Sequence, residues 1–191
     1  MKGSNETKQK LINITRQMID MNGVDSVSMR DLGKEMGLSR SAVYVYFKNK
    51  DDLLAAIVTE NFESLKNSIY KSIGEIKDSR KLAYEVLQTF YNFGMKHQEH
   101  YKLMFLKQWD KEQYDNLHTA AIELFEIFYK CLENPSAQKN SVRKSPRQLT
   151  AMVSAFILGL VELNSTGHLE PEKGFDDSTG LINSFLDLIF I

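Results

Sequence analysis

Apolar side chains recur every three or four residues along most of this chain, a spacing that places them on one face of an α-helix. No stretch alternates apolar and polar positions as a half-buried strand would, and the chain holds only three prolines. The pattern predicts an all-α protein of about nine helices. Their expected ranges are 7–21, two short helices within 28–47, and then 49–73, 79–97, 99–109, 113–133, 146–166 and 176–190.

The segment 28–50 has the pattern of two short helices joined by a tight turn, which is the helix-turn-helix arrangement that docks a helix in the DNA major groove. Ser28 and Ser39 can cap the two helices, and Asp31 stands where a capping-box partner of Ser28 would. Gly37 suits the turn, because a left-handed backbone strains residues that carry a Cβ. The inward positions are Leu32, Met36, Leu38, Val43 and Phe47.

This segment resembles the DNA-binding domain of the TetR (tetracycline repressor) family of bacterial regulators. The positions that match the family pattern are Arg30, Asp31, Gly37, Ser39, Tyr44, Tyr46, Phe47, Lys50 and Leu53. Ser41 and Ala42 stand where the family usually has Gly and Thr, and they lie on the outer face of the second helix. The resemblance implies a dimeric regulator with a DNA-binding head and a helical body that binds an effector, but it transfers no base preference.

The outer face of the second helix supplies the expected contacts with a double-stranded DNA operator. Arg40 and Ser41 begin this helix, where base edges come within reach, and Arg40 could donate two hydrogen bonds to a guanine. Tyr44, Tyr46 and Lys50 are better suited to phosphates, which fix the register of the protein without reading sequence. The predicted DNA-binding set is Ser28, Arg30, Arg40, Ser41, Ala42, Tyr44, Val45, Tyr46, Lys48 and Lys50.

Charge is unevenly distributed along the chain. Residues 1–50 contain nine basic and five acidic side chains, a net +4, whereas the whole chain carries −1 and the remainder therefore −5. We predict a DNA-binding domain over 1–50 and an effector-binding and dimerisation domain over 51–191. The single cysteine, Cys131, excludes an intrachain disulfide, and the polar N-terminus lacks the apolar core of a signal peptide. Both features favour the cytoplasm.

Large apolar side chains in the body could leave a cavity between helices for a small-molecule effector. Aromatic and methionine side chains at helical spacing are more often ordinary core residues. The prediction that any one of them binds an effector is therefore weaker than the prediction that the body contains a pocket. Few charged residues interrupt these faces, which favours an apolar or cationic-aromatic ligand over a phosphate or a sugar. The candidates are Phe62, Leu65, Phe90, Phe93, Met104, Phe105, Trp109, His118, Ile122, Phe125 and Phe156.

The eighth and ninth helices carry more apolar side chains than one core face needs, and the chain ends on Leu-Ile-Phe-Ile. A two-fold four-helix bundle, with two helices from each subunit, would cover this surface, so we expect a homodimer. The alternative is that both helices serve only their own core. The longest apolar stretch, 151–163, is too short to span a bilayer, so no membrane is expected. The predicted interface residues are Met152, Phe156, Leu160, Ile182, Phe185 and Ile189.

The sequence contains little that indicates a catalytic site or a metal site. His97 and His100 are spaced like a metal pair, but no cysteine or carboxylate cluster completes a site, and Cys131 is expected to be structural. No nucleophile elbow, glycine-rich phosphate loop or acid dyad is present. We therefore expect no enzyme, metal or cofactor, but a ligand-responsive regulator, most simply a repressor released by its effector. The alternative is a constitutive regulator or a nucleoid-associated dimer without an effector.

Overall fold

The computed structural model describes residues 2–133, 145–174 and 177–190, and this part of the chain is built of α-helices. The all-α prediction is confirmed. The helices are α1 (Lys2–Asn22), α2 (Met29–Glu35), α3 (Arg40–Tyr44), α4 (Lys50–Ile73), α5 (Ser79–Lys96), α6 (Gln98–Phe105), α7 (Asp115–Leu132), α8 (Pro146–Ser165) and α9 (Ser178–Ile189), with short 3₁₀ turns at Val24–Ser26 and Pro171–Lys173.

Three helices differ from their predicted ranges by three or more residues at one end. α1 begins at Lys2 rather than near residue 7. α3 ends at Tyr44 rather than at residue 47, because the amides of Tyr46 and Phe47 both donate to the carbonyl of Val43 and tighten the last turn. α6 ends at Phe105 rather than at residue 109, because the next two amides both donate to the carbonyl of Lys102 and close the helix.

The chain forms two compact units, one of residues 1–62 with 99–118 and the other of residues 63–98 with 119–191. The first unit is larger than the predicted head of residues 1–50, because it also includes part of α4, nearly all of α6 and the connection after it. Its core contains fully buried side chains from α1, α2 and α4, namely Leu11, Ile19, Leu32, Leu53 and Ile57. The core that supports α2 and α3 therefore includes residues beyond the predicted domain boundary at residue 50.

In the second unit, α5 packs against both α8 and α9. Arg80 of α5 donates from Nε to Oδ1 of Asp187 on α9 at 2.9 Å. α8 begins with a reciprocal capping box between Ser145 and Gln148, and Pro146 occupies the first turn, where its missing N–H costs nothing.

α8 spans 20 residues, and it is the one helix within the described ranges that is long and apolar enough to cross a membrane. The sequence stretch 151–163 had suggested a segment too short for that. Core helices of globular proteins pass the same test of length and composition, and the inner face of α8 is buried within its own unit through Leu149, Val153, Ile157 and Val161.

Candidate nucleic-acid interface

Both helices of the predicted helix-turn-helix are capped by serine. The hydroxyl of Ser28 accepts a hydrogen bond from the amide of Asp31 at 3.1 Å and donates to the carboxylate of Asp31 at 2.6 Å. The bond to Ser28, followed by one to Lys34, holds the pKa of the Asp31 carboxyl below its usual value. The hydroxyl of Ser39 accepts from the amide of Ala42 at 3.2 Å. Each cap satisfies an amide that the start of a helix leaves without a partner.

Two glycines allow the close turn between α2 and α3. Gly37 has φ +63°, the left-handed conformation predicted for this position. A Cβ on Gly33 would lie 3.0 Å from the carbonyl oxygen of Leu38 and 3.4 Å from Cγ2 of Val43, so a larger residue would require these neighbours to shift by a few tenths of an ångström. Close packing between the two helices therefore explains the glycine at position 33 inside α2.

Burial of one side of α3 leaves its other side facing outward. Val43 is fully buried and Phe47 is 4% exposed, whereas Val45 is 80% exposed. Arg40 donates from Nη2 to the hydroxyl of Tyr44 at 3.2 Å, and its guanidinium carbon lies 5.5 Å from the centre of that ring. The two side chains that were predicted to contact a base and a phosphate thus touch each other.

The remaining predicted contact residues differ in exposure. Arg30, Ser41, Tyr44 and Lys48 are exposed, whereas Ser28, Ala42, Tyr46 and Lys50 are half-buried. Lys50 donates from Nζ to the carbonyl of Val24 at 2.9 Å, which links the first turn of α4 to the turn after α1. An ammonium has three donors, so this bond leaves Lys50 able to bind a phosphate. Its predicted phosphate contact stays a prediction.

Lys8 is a cation near this face that the sequence analysis did not select. Its Nζ lies 5.5 Å from the centre of the Phe47 ring. Lys8, Tyr46 and Lys48 also line one cleft with a volume of about 500 Å³. Because Lys8 lies in α1, far from the motif in sequence, no local spacing could have identified it.

The sequence analysis also missed the partners of the first turn of α4. Lys107 donates from Nζ to Oδ1 of Asp51 at 2.5 Å, and the hydroxyl of Tyr114 donates to Oδ1 of Asp52 at 3.3 Å. Burial, followed by the nearby Asp52, raises the pKa of Tyr114. These partners are separated by 56 and 62 residues, so no helical period connects them.

The predicted effector-binding residues are divided between the two units. The first unit contains Phe62, Met104, Phe105, Trp109 and His118, and the second contains Leu65, Phe90, Phe93, Ile122, Phe125 and Phe156. Several take part in ordinary core contacts, such as the edge-to-face pair of Phe62 and Phe105 with ring centres 5.5 Å apart. Ile122 is 56% exposed, so it does not line an enclosed cavity within its unit.

An apolar cavity of about 10 Å³ lies inside the second unit, lined by none of these candidates. Its volume is close to the minimum that a single water molecule needs. An effector would have to displace side chains to enter it. The lining residues are Ala83, Val86, Leu87, Phe128, Cys131, Leu132 and Val153.

The predicted dimer residues separate into two groups. Leu160, Ile182 and Ile189 are at most 4% exposed within the single chain, so they already serve the core of the second unit. Met152 is 53% exposed, and Leu188, which was not selected, is 65% exposed. Phe156 and Phe185 are half-buried and stack in parallel with ring centres 4.0 Å apart.

The two histidines considered for a metal site have other partners. The ring of His97 lies 5.2 Å from that of Phe93 in the second unit. His100 is buried in the first unit, where its Nδ1 lies 3.0 Å from Nδ2 of Asn61. Across the described ranges, no cluster of three or more His, Cys, Asp or Glu side chains is placed to hold a metal ion.

Comparison with known proteins places both parts of the chain in one group. Residues 11–57 match the family model described as "Bacterial regulatory proteins, tetR family". Residues 84–186 match the model described as "Tetracyclin repressor-like, C-terminal domain".

Individual relatives agree with these matches. The nicotine-responsive transcriptional repressor HdnoR of Paenarthrobacter nicotinovorans is 34% identical over 86 residues, which cover 45% of this chain and 44% of HdnoR. The chain thus matches less than half the length of that relative. A Rhodococcus sp. RHA1 protein of unknown function shares the fold with a TM-score of 0.80, 17% identity, and coverage of 94% and 91%. A chain from Saccharomonospora viridis, solved with choline, has a TM-score of 0.75, 14% identity, and coverage of 98% and 99%.

Proposed function

Since this chain belongs to the tetR family of bacterial regulatory proteins, and is thus a transcriptional regulator with a DNA-binding helix-turn-helix, we propose that it is a ligand-responsive repressor. It binds a palindromic operator as a homodimer in the cytoplasm. A small apolar or aromatic molecule bound by the C-terminal domain releases it. Members of the family are transcriptional regulators rather than enzymes, which agrees with the expectation from sequence.

The observation that carries operator recognition is the outward face of α3. The Ser39 cap and the buried Val43 hold the short helix in place, while Arg40 and Tyr44 project from it and the 80% exposed Val45 follows at its end. Arg40 could donate two hydrogen bonds to a guanine, and Val45 offers apolar contact to a thymine methyl group.

A homodimer would give the operator its symmetry. Two recognition helices related by a two-fold axis meet successive major grooves roughly 34–36 Å apart, so the half-sites form a palindrome. The exposed side chains of Met152 and Leu188, on α8 and α9, supply apolar surface for the contact between subunits. A dimer would remove that surface from water.

The effector class rests on relatives as well as on composition. One relative is described as nicotine-responsive, and one structural neighbour was solved with choline; both molecules carry an amine or ammonium group on an apolar body. Aromatic faces attract such cations. We therefore propose that the small apolar or aromatic effector carries an amine or ammonium group. The enclosed cavity of about 10 Å³ would have to widen to hold such a molecule. A ligand-binding measurement therefore decides between this proposal and the alternative of a regulator without an effector.

Selection from random-sequence DNA with the full-length protein tests the operator. We expect a palindrome with half-sites one helical turn apart. Selection without any sequence preference would contradict operator recognition and favour a nucleoid-associated protein.

Titration of the protein–operator complex with nicotine and with choline tests the response to ligands. A ligand that releases the operator should lower the affinity of the protein for the operator about 5- to 150-fold. Operator DNA must then lower the affinity of the protein for that ligand by the same factor. A ligand that binds the protein without changing operator affinity in either direction would contradict a repressor released by that ligand.

A further inference from the structure

We infer that the segment 106–114, which connects α6 to α7, braces the first turn of α4 and so positions the recognition helix on DNA. Lys107 and Tyr114 are the positioning residues, and they act through Asp51 and Asp52 rather than by contact with DNA. The inference rests on the proposed operator binding.

Two separate contacts join the segment to α4. The ammonium of Lys107 lies 2.5 Å from Oδ1 of Asp51, and the hydroxyl of Tyr114 donates to Oδ1 of Asp52 at 3.3 Å. Gln113 donates to the hydroxyl of Tyr114 at 2.8 Å, which orients that hydroxyl toward Asp52. Two contacts on neighbouring residues restrain rotation as well as displacement of the helix end.

Asp52 connects Tyr114 to the residues that follow α3. Its other oxygen, Oδ2, accepts the backbone amide of Lys48 at 3.1 Å. Lys48 lies in the short connection between α3 and α4, next to Phe47, whose buried ring anchors the end of the recognition helix. A shift of Tyr114 would therefore reach the recognition helix through a single carboxylate.

The segment itself is held rigidly at Trp109, which is 8% exposed. Its indole Nε1 donates to the carbonyl of Leu103 at 2.8 Å, and its own carbonyl lies 3.2 Å from Nε2 of His118. The ammonium of Lys107 lies 4.4 Å from the centre of the Trp109 ring, and the ring of Tyr114 meets that ring edge-on with centres 5.4 Å apart. Both positioning residues therefore rest on one buried indole.

Substitutions of opposite charge give a sharp test. Lys107→Met and Asp51→Asn each remove the same ion pair, but the first removes a positive charge and the second a negative one. Electrostatics alone predicts that loss of Asp51's charge tightens binding to DNA, which is itself negative. Positioning predicts that both variants, and Tyr114→Phe, bind the selected operator about 2- to 30-fold more weakly than the wild type. In the double variant, the two losses at Lys107 and Asp51 should not add.

Matched controls lie in the same segment. Lys111→Met and Glu112→Gln make the same charge changes at exposed positions and should bind the operator nearly as the wild type does. Affinity is measured by fluorescence anisotropy at several salt concentrations, and thermal unfolding confirms that each variant is folded.

The salt dependence separates positioning from contact. The positioning variants should keep the wild-type slope of log affinity against log salt, because they lose no phosphate contact. A slope that falls by about 0.9 for Lys107→Met would show a direct phosphate contact and overturn the inference. Tighter binding by Asp51→Asn would overturn it as well. If the wild type selects no operator, the proposed function fails; if it selects one that all three variants bind normally, only the brace fails.

Discussion

The imidazole of His100 lies 3.3 Å from the carboxylate of Asp20, measured from Nε2 to Oδ1. Its other nitrogen, Nδ1, lies 3.0 Å from Nδ2 of Asn61. His100 therefore bridges α1 and α4 from its place in α6, and it is only 4% exposed. A buried imidazole needs such partners, because a polar group that leaves water without a hydrogen bond destabilises the fold.

We predict that the buried partner of His100 matters more than the exposed one. Asn61→Leu should lower the free energy of unfolding by about 1–3 kcal/mol, because it removes a buried hydrogen bond and leaves Nδ1 without that amide. Asp20 is 57% exposed, so Asp20→Asn should cost less than about 1 kcal/mol. Urea denaturation at pH 7 measures both values. Equal losses for the two variants would contradict this order.

The features predicted from sequence are those that depend on neighbouring residues. The caps at Ser28 and Ser39 and the turn at Gly37 each act within three or four positions, so local pattern sufficed to place them. Helix ends were less reliable, because the apolar pattern does not show where the backbone hydrogen bonds close a helix. α6 was predicted to reach Trp109, but the amides of residues 106 and 107 both bond to the carbonyl of Lys102, and the Trp109 indole bonds back to the carbonyl of Leu103 from the following loop.

Contacts between distant residues could not be predicted in the same way. Lys50 was expected only to bind phosphate, yet it reaches a carbonyl 26 residues away at Val24. The spacing of apolar residues also cannot show which part of the apolar surface of α8 is buried within its own subunit. Leu160 and Met152 both belong to the apolar stripe, but one is 4% and the other 53% exposed.

Lys48 and Arg40 should affect DNA binding differently. Lys48→Ala removes an exposed cation and should weaken binding to all sequences, with a salt slope about 0.9 shallower. Arg40→Ala should cost roughly 1–3 kcal/mol on the selected operator and relax preference at one base position. Anisotropy titrations on operator and random DNA measure both. If Arg40→Ala weakens the two DNAs equally, Arg40 does not read a base.

Lys50→Ala should affect stability as well as the predicted phosphate contact, because the Lys50 ammonium donates a hydrogen bond to the carbonyl of Val24. We expect it to lower the free energy of unfolding by about 0.5–1.5 kcal/mol, the usual net value of one hydrogen bond. Lys48→Ala is the control, since its side chain is exposed. Urea denaturation should separate the two variants, and equal stabilities would show that the bond contributes nothing.

The thiol of Cys131 should make the fold less stable in alkaline solution. Burial raises the pKa of Cys131 to about 12, whereas a thiol in the unfolded chain ionises near about 8.5. Above the lower value the unfolded state loses a proton that the folded state keeps, so stability falls by up to about 1.4 kcal/mol per pH unit. Urea denaturation of the wild type and Cys131→Ala at pH 7.5 and pH 10 measures the difference. Parallel losses in the two proteins would contradict the assignment to Cys131.

The dimer surface should be sensitive at exposed positions of α8 and α9. Met152→Asp and Leu188→Asp change side chains that are 53% and 65% exposed in the single chain, so the subunit should still fold. In the dimer each would place an uncompensated charge in an apolar contact, at a cost of about 3–5 kcal/mol. Light scattering should therefore show a monomer for each variant. Ile122→Asp on α7, at 56% exposure, is the matched control and should stay dimeric. If Ile122→Asp separates the subunits and the other two do not, the interface lies on a different face from the one proposed.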